Sequence, residues 1–244
     1  MKLQIMMLGC TFVGTLMTQT TALAEDVSIA VNVTATIENN IAWWDVSNWG
    51  VEGRGWTNGL LHFYDRLPAE AEKTVPPAVW QLSRESAGMS ARFITDARSI
   101  RVRYSLSSKD LNHGWGDMPN MSASGVDLYA KVQDPATGLM RWRWVGGNKP
   151  TTQTGEYCLA ADLVAGKRLY VLNLPLNNGV DKLEIGVPAG SAFEPVLPRK
   201  SLPIVFYGTS IMQGGIASRP GLSIPAIIGR YFDCPILNYG FCGS

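Results

Sequence analysis

Histidine is scarce in this sequence: the 244 residues include two, His62 and His113. A histidine-rich metal centre is therefore disfavoured. Net charge is also small, because 21 Lys and Arg stand against 20 Asp and Glu, a balance of +1. Such a balance gives no strong electrostatic attraction to nucleic acid or to an anionic membrane, so a nucleic-acid-binding protein is disfavoured as a class.

Long apolar runs are rare as well, and the N-terminal one, residues 3–17, is shorter than the roughly 20 residues of a membrane-spanning helix. It follows Lys2 and precedes Ala22-Leu23-Ala24, which is the layout of a secretory signal with a small-residue cleavage site. We predict that residues 1–24 are a cleaved signal peptide. The protein is then secreted or periplasmic, without a stable membrane anchor. An uncleaved anchor is the alternative.

Cysteine is too sparse for a disulfide framework. Cleavage of the signal removes Cys10 and leaves three: Cys158, Cys234 and Cys242. The last two flank an apolar run that is typical of a strand, which would hold its ends more than ~20 Å apart. A disulfide tolerates only ~6 Å. We predict unpaired, buried thiols, and no Cys or His spacing indicates zinc.

A composition of 46% hydrophobic and 17% charged residues is that of a globular protein. Apolar residues alternate with polar ones at 27–33, at 100–106 and at Trp142 and Trp144, with turn-forming residues at 134–138, 146–150 and 177–179. Many short strands without intervening helices predict an antiparallel β-sandwich or jelly roll. We place this domain at residues 25–187.

The pattern changes after residue 187. Residues 188–201 are rich in Pro, Gly and Ser and are predicted to be a linker. Residues 202–207 form a continuous apolar run, typical of a strand that is buried on both faces. A helix is predicted at 223–232, with Pro225 in its first turn, and a second buried strand at 235–241. Strand, helix and strand open a parallel α/β sheet, so residues 202–244 are predicted to begin a second domain.

Two groups of motifs carry a family resemblance. Residues 204–215 with the triplet Gly208-Thr209-Ser210, residues 217–221 and residues 238–243 resemble the first two sequence blocks of SGNH (GDSL-type) hydrolases. Residues 125–129 read Gly-Val-Asp-Leu-Tyr and resemble the Gly-x-Asp-Leu-Tyr signature of the subfamily with an N-terminal β-sandwich. The resemblance implies a mainly β fold, a jelly-roll-like β-sandwich followed by the first β-α-β unit of an incomplete α/β SGNH domain.

The resemblance also implies roles for two residues. Ser210 would be the nucleophile that accepts the acyl group, with Thr209 where many relatives carry Asp. The backbone N–H groups of Ser210 and Gly243 would form the oxyanion hole, where fixed dipoles stabilise the negative oxygen of the tetrahedral intermediate. The alternative for Ser210 is a helix-cap or turn serine.

The later blocks of the family, which supply an Asn, an Asp and a His, are absent from the sequence, so we expect a truncated chain with little activity. His62 is predicted to be a packed, hydrogen-bonded side chain and His113 a loop residue. The resemblance implies a serine esterase acting on O-acyl, and by inference acetyl, esters of a small molecule or polysaccharide. No metal or organic cofactor is implied, and nothing indicates the oligomeric state.

A non-catalytic carbohydrate-binding sandwich is the alternative function. It would use exposed indole faces, which stack on sugar rings. Four tryptophans lie among Gly, Asn and Ser residues and are predicted to be on the surface: Trp43, Trp44, Trp49 and Trp56. Trp142 and Trp144 are predicted to be in the core.

Overall fold

The computed structural model describes residues 27–114, 116 and 118–244, so the predicted signal peptide lies outside the described residues. In this part of the chain the strands are β1 (Thr36–Glu38), β2 (Ile41–Asp45), β3 (Ser90–Thr95), β4 (Ile100–Leu106), β5 (Asp127–Gln133), β6 (Met140–Gly147), β7 (Thr154–Ala160), β8 (Arg168–Asn173), β9 (Val180–Pro188), β10 (Phe193–Val196), β11 (Ile204–Gly208) and β12 (Ile236–Gly240). The helices are α1 (Pro77–Leu82), α2 (Asn120–Ala123), α3 (Ser210–Gln213) and α4 (Ile224–Phe232), with 3₁₀ turns at Val46–Asn48, Ala69–Lys73 and Pro220–Leu222.

The first ten strands form two five-stranded antiparallel sheets, in the orders β1-β2-β9-β4-β7 and β10-β3-β8-β5-β6. We call this part of the molecule the sandwich. β4 shows the predicted alternation, because every second side chain from Ile100 to Leu106 is buried in the core. From the facing sheet, Leu128 and Leu172 enter the same core. The predicted mainly β fold with antiparallel sheets is confirmed.

Alternation fails as a strand signal at residues 27–33. Ile29 makes a single bridge to Val196, and Val31 is 78% exposed. The backbone hydrogen bonds of this segment go to Pro195 and Leu197, in and just after β10, a strand of four residues at the edge of its sheet, so the segment has little strand to pair with. β10 itself lies within the segment predicted to be a linker and pairs with β3.

The predicted surface positions of two tryptophans are wrong. Trp43 and Trp49 are 3% and 4% exposed. The ring of Trp43 lies over Gly186, where a Cβ atom would come within 2.6 Å of it. Trp49 donates its indole N–H to the carbonyl of Arg92, 3.1 Å away. Polar neighbours in sequence did not predict exposure, because strand pairing decides which face a side chain occupies.

The tryptophans of β6 depart from prediction in the opposite direction. Trp142 is half-buried, and Trp144 is 47% exposed although a core position was predicted. β6 is the outermost strand of its sheet, so one side of it has no neighbouring strand to cover these rings. The guanidinium of Arg219 instead lies 4.7 Å from the ring centroid of Trp144.

The three cysteines of the described residues are unpaired, as predicted. Cys242 is buried and Cys234 is half-buried. Cys158 is exposed, which contradicts the prediction, because β7 is the edge strand of the other sheet and Cys158 lies on its outer face.

Residues 204–244 form a small β-α-β arrangement that we call the parallel unit. β11 and β12 pair in parallel, with Ile204 opposite Ile236 and Gly208 opposite Gly240. Helix α4 begins as predicted, because the Ser223 hydroxyl accepts the N–H of Ala226. Among the described residues, no helix is both apolar enough and long enough to cross a bilayer.

The apolar surfaces of the parallel unit are less covered than the sequence predicted. On β11, Tyr207 is 84% exposed, because this strand has a neighbour on one side only. The helix α4 meets β12 at Gly229, where a Cβ atom would lie 2.9 Å from a methyl carbon of Ile236. Its apolar face, which includes Ile227 and Tyr231, points away from the sheet and is exposed.

Candidate active site

Ser210 lies where the parallel strand β11 ends and helix α3 begins. Thr209 connects the two elements, and Ser210 is the first residue of the helix. The Ser210 carbonyl accepts the N–H groups of Gly214 and Gly215, at 3.0 and 2.7 Å. These bonds close the short helix, and Gly214 ends it at a φ of +106°. The serine is half-buried, so its hydroxyl group is held at the carboxyl end of a parallel strand, where α/β proteins bind ligands.

Gly243 lies in the loop that follows the neighbouring strand β12. It is exposed and has a φ of +77°, a left-handed conformation that favours glycine. A Cβ atom there would meet nothing within 4 Å, so the backbone angle and not crowding explains the glycine. The loop is anchored at its start, because the Phe241 N–H donates to the carbonyl of Gly208, 2.9 Å away. Gly208 is the last residue of β11, two residues before Ser210.

Gln213 connects the serine helix to the Gly243 loop. Its side-chain Oε1 accepts the N–H of Cys242 at 2.8 Å, and its backbone carbonyl accepts Nδ2 of Asn238 at 3.2 Å. The helix can approach β12 this closely because Gly240 has no side chain, since a Cβ atom there would lie 2.0 Å from the Gln213 nitrogen. Ser210 and Gly243 thus belong to two segments that one buried amide fastens together.

The sandwich supplies the groups beneath Gln213. Glu85, which follows α1, places a carboxylate oxygen on Nε2 of Gln213. Its other oxygen lies 3.2 Å from Nδ1 of His113, and Nη2 of Arg66 is 3.8 Å from the carboxylate. Burial raises the pKa of the Glu85 carboxyl above its usual range, although Arg66 and His113 act in the opposite direction. Sequence reasoning missed Glu85 and Gln213, because neither lies in a pattern that marks it as buried.

Arg66 makes the second link between the sandwich and the parallel unit. Its guanidinium is wholly buried and donates to the carbonyls of Asn238 and Gly240, at 3.1 and 2.6 Å. It also donates to the carbonyl of Leu82 at 2.6 Å and lies 4.6 Å from the ring centroid of Phe241. One side chain of the sandwich therefore fixes the end of β12 that leads to Gly243.

Asp127, the aspartate of the Gly-x-Asp-Leu-Tyr motif, holds a further part of the parallel unit. Its Oδ1 accepts the N–H of Gly221 at 2.9 Å and Nδ2 of Asn173 at 3.0 Å. Its Oδ2 lies 3.3 Å from Nε of Arg219. Burial raises the pKa of Asp127 to about 6, against the opposing effect of these partners. The motif therefore links the sandwich to the segment between α3 and α4.

The two histidines occupy different environments. The His62 side chain is 63% exposed, so the prediction that it is packed is wrong, whereas it is hydrogen-bonded as predicted, through Nδ1 to Nη2 of Arg84; its ring lies 3.6 Å from Asp65. His113 lies in a loop as predicted, with a φ of +58°, and faces Glu85. Within residues 27–114, 116 and 118–244, none of the hydrogen bonds or ion pairs joins either histidine to Ser210.

An apolar pocket of about 520 Å³ adjoins Gly243. Tyr207 of β11 and Tyr239 of β12 line one side of it, and Leu67 and Val79 of the sandwich line another. Trp56 lies close to Tyr239, with ring centroids 5.7 Å apart. An apolar group attached to a substrate carbonyl at Gly243 would find a concave surface here.

A Gly-x-Asp-Leu-Tyr sandwich joined to a strand, serine and helix unit defines the class of SGNH-type ester hydrolases. Sequence profiles agree: residues 41–193 match the N-terminus of SGNH hydrolase-type esterases, and residues 201–244 match the GDSL-like lipase/acylhydrolase family. The chain belongs to this family of GxDLY SGNH hydrolase-type esterases. No protein with a curated description matches it by sequence.

Two solved structures resemble the chain. A Bacteroides ovatus protein described as a GDSL-like lipase is 28% identical, with a TM-score of 0.75, over 84% of this chain and 58% of that one. The salicylyl-acyltransferase SsfX3 of a tetracycline biosynthetic pathway is 18% identical, with a TM-score of 0.52, over 86% of this chain and 53% of that one. The second likeness is one of fold alone. The chain thus spans little more than half the length of either structure.

Proposed function

We propose that the protein hydrolyses O-acyl esters and that Ser210 is the nucleophile. The observation that carries the proposal is the placement of Ser210 at the start of α3, fastened through Gln213 to the loop that contains Gly243. Membership of an esterase family supports the reaction class.

The proposed reaction proceeds through an acyl-serine. The Ser210 hydroxyl oxygen attacks the acyl carbonyl carbon, and its proton passes to a base. The backbone N–H groups of Ser210 and Gly243 stabilise the oxyanion. The bond between the carbonyl carbon and the alcohol oxygen then breaks, and the alcohol leaves with a proton. Water hydrolyses the acyl-serine by the same steps and returns the hydroxyl group of Ser210.

We further propose that this 244-residue chain by itself turns esters over slowly. It has two histidines, and the contacts of the described residues join neither His62 nor His113 to Ser210. Loss of a triad member costs about 10⁴-fold to 10⁶-fold in turnover. Acylation by an activated ester demands less of a base than full turnover does, because its leaving group needs no protonation.

Substrate and location form the finer part of the proposal: an acetyl ester, carried by a carbohydrate, cleaved outside the cytoplasm. The predicted signal peptide supports export. The partial exposure of Trp56 and Trp144 supports contact with sugar rings, although Arg219 covers part of Trp144 and two of the four tryptophans predicted for the purely carbohydrate-binding alternative, Trp43 and Trp49, are buried.

The test is acylation of Ser210 by 4-nitrophenyl acetate, followed by mass spectrometry of the peptides. We expect an acetyl group on Ser210, none at this position in Ser210→Ala, and unchanged labelling of Ser210 in Ser218→Ala, a matched control at an exposed serine of the same loop region. Acetyl groups distributed over other residues, with equal amounts in Ser210→Ala, would contradict the proposal.

Two further measurements test the finer parts. His62→Ala should leave the rate of acylation unchanged, and a loss of about tenfold or more in this variant would show that His62 supplies the base. The acetate should acylate Ser210 at least about tenfold faster than the octanoate ester. The reverse order would assign the apolar pocket beside Gly243 to a long acyl chain and reject acetyl.

A further inference from the structure

The side-chain amide of Gln213 has three partners that fix its orientation. Its Nε2 faces the carbonyl of Leu176 at 2.8 Å and the carboxylate of Glu85, which are both acceptors. Its Oε1 faces the N–H of Cys242, which is a donor. A carboxamide has two donor hydrogens on nitrogen and acceptor capacity on oxygen only, so one orientation satisfies all three partners. The amide is fully buried, which makes the opposite orientation costly.

Glu85 is the charged member of this arrangement and comes from the sandwich. Its carboxylate is 9% exposed; His113 lies 3.2 Å from Oε1, and Arg66 lies 3.8 Å from Oε2, the oxygen that accepts from Gln213. Hydrogen bonds to an ionised acceptor are stronger than those between neutral groups. Of the two acceptors on Nε2, Glu85 therefore contributes more to the orientation of Gln213 than the Leu176 carbonyl does.

The loop that donates this hydrogen bond is closed by the Ser244 N–H, which donates to the carbonyl of Phe241 at 3.2 Å, and it has open space beside Gly243. No atom lies within 4 Å of the position of a Cβ there, and glycine has the widest range of backbone angles. The Gly243 N–H belongs to the peptide group between Cys242 and Gly243, one residue after the Cys242 N–H that Gln213 holds. Only the two backbone torsion angles of Cys242 separate these groups, so a fixed Cys242 N–H limits the directions in which the Gly243 N–H points.

We propose that Glu85 is a positioning residue for the oxyanion-hole loop and acts through Gln213. The proposal rests on the proposed function, because it needs the Gly243 N–H as an oxyanion donor. It makes the sandwich part of the active site: a carboxylate of the first domain orients an amide of the second, and that amide holds the loop which stabilises the transition state.

Amide hydrogen exchange of the full chain labelled with ¹⁵N-cysteine tests the proposal. The sequence has four cysteines, so the spectrum has few peaks, and Cys242→Ser and Cys234→Ser assign two of them. Cys234 is the internal control, since its N–H donates to the Gly229 carbonyl at 3.0 Å within the same parallel unit. In Glu85→Ala we expect the Cys242 amide to exchange about tenfold faster and the Cys234 amide to be unchanged.

A reversed pair extends the test to a case in which Glu85→Ala fails to fold. Gln213→Glu places two carboxylates together and should also speed exchange at Cys242 about tenfold. Adding Glu85→Gln gives an amide that donates to the new carboxylate, whose other oxygen still accepts the Cys242 N–H. The carbonyl of Leu176 still faces a carboxylate oxygen in place of Nε2, so exchange in this double variant should be at least about threefold slower than in Gln213→Glu without reaching the rate of the unmodified protein.

Two results would overturn the proposal. One is equal acceleration at Cys242 and Cys234 in Glu85→Ala, which indicates general loosening of the parallel unit. The other is a double variant that exchanges as fast as Gln213→Glu alone. The readout involves no ester, so it is independent of the proposed function: failure of Ser210 to accept an acetyl group would reject the esterase proposal and leave the exchange result to be judged separately.

Discussion

The sandwich and the parallel unit are held in different ways. In the sandwich, two paired sheets enclose an apolar core, with side chains such as Leu172 and Ile100 fully buried. In the parallel unit, Ile236, Phe241 and Cys242 are the large or sulfur-bearing apolar side chains that are buried, whereas Tyr207 and Tyr231 are more than 80% exposed. An apolar core of its own therefore does not account for the placement of the parallel unit.

Buried polar contacts with the sandwich hold the parallel unit in position instead. Arg66 donates to two carbonyls of its second strand, and Asp127 accepts an N–H from the turn before α4. Arg199 adds a third link, with Glu52 at 2.7 Å on one side and the Asp233 carbonyl at 2.7 Å on the other. Such contacts are directional, so they fix the position of Ser210 and Gly243 relative to the sandwich more strictly than an apolar interface would.

The largest effect is expected from removal of Arg66. Arg66→Ala leaves the carbonyls of Asn238 and Gly240 without this donor, the carbonyl of Leu82 with the Glu85 N–H alone, and Glu85 with one cation fewer. Breaking a buried charged contact in this way costs about 3 to 5 kcal/mol. We expect a loss of that size in the free energy of unfolding measured with urea.

Arg143→Ala is the matched control for Arg66. Its side chain is 60% exposed and pairs with Asp134 at 3.0 Å, which is the geometry of a surface ion pair. Such a pair contributes about 0 to 1 kcal/mol. Equal losses in the two variants would mean that the contacts between the regions do not stabilise the fold more than a surface pair does.

Asp127 should make stability depend on pH. Its pKa is about 6 in the folded protein against an ordinary 3.8, so between these values the folded state binds more protons than the unfolded state. The free energy of unfolding should then fall as the pH rises from about 4 to about 6, by up to about 3 kcal/mol, and level off above that range. Urea midpoints at a series of pH values measure this.

Asp127→Asn removes one titrating group and should reduce the slope, leaving the part that Glu85 contributes through its own raised pKa. Asp162→Asn, at an exposed aspartate, should keep the slope of the unmodified protein. An undiminished slope in Asp127→Asn would assign the whole pH dependence to other groups.

Close packing at Gly221 predicts that its substitution lowers the free energy of unfolding by less than Arg66→Ala does. A Cβ atom there would lie 2.4 Å from Cε2 of Tyr129 and 2.9 Å from Oδ2 of Asp127. Gly221→Ala must therefore push the turn away from the motif, at a cost of about 1 to 3 kcal/mol. At Gly116 the same change meets nothing within 4 Å, so Gly116→Ala should cost much less in the same denaturation measurement.

The sequence predicted features that depend on neighbouring residues, but it did not predict the contacts between the sandwich and the parallel unit. Local signals were sufficient for β4, whose alternation reports one buried face, and for α4, whose Ser223 and Pro225 mark its first turn. The motif at 125–129 identified the family but not the partner of Asp127. Residues distant in sequence decide such contacts: Glu85 meets Gln213 across 128 positions. No local pattern carries that information, and the same reason explains why Trp43 and Trp49 proved to be buried.

Substitution of Tyr207 is expected to cause the smallest change in the free energy of unfolding. It should clearly change the association of protein molecules with one another. This side chain is 84% exposed on β11, whose outer edge has unpaired backbone groups that can template another strand. Tyr207→Lys removes an apolar contact surface and places a charge on that edge, so concentration-dependent association in sedimentation velocity should decrease. The unfolding free energy should stay within about 0.5 kcal/mol, because little surface is buried at this position.

Val164→Lys separates the edge effect from a general effect of charge. Val164 is 75% exposed but lies in a turn of the sandwich, away from any open strand edge. The same substitution there should leave association unchanged. If both variants reduce association equally, added charge explains the result. If neither does, the edge of β11 is no more prone to pairing than the edge strands of the sandwich, and the proposed contrast between the two regions fails at the strand that leads to Ser210.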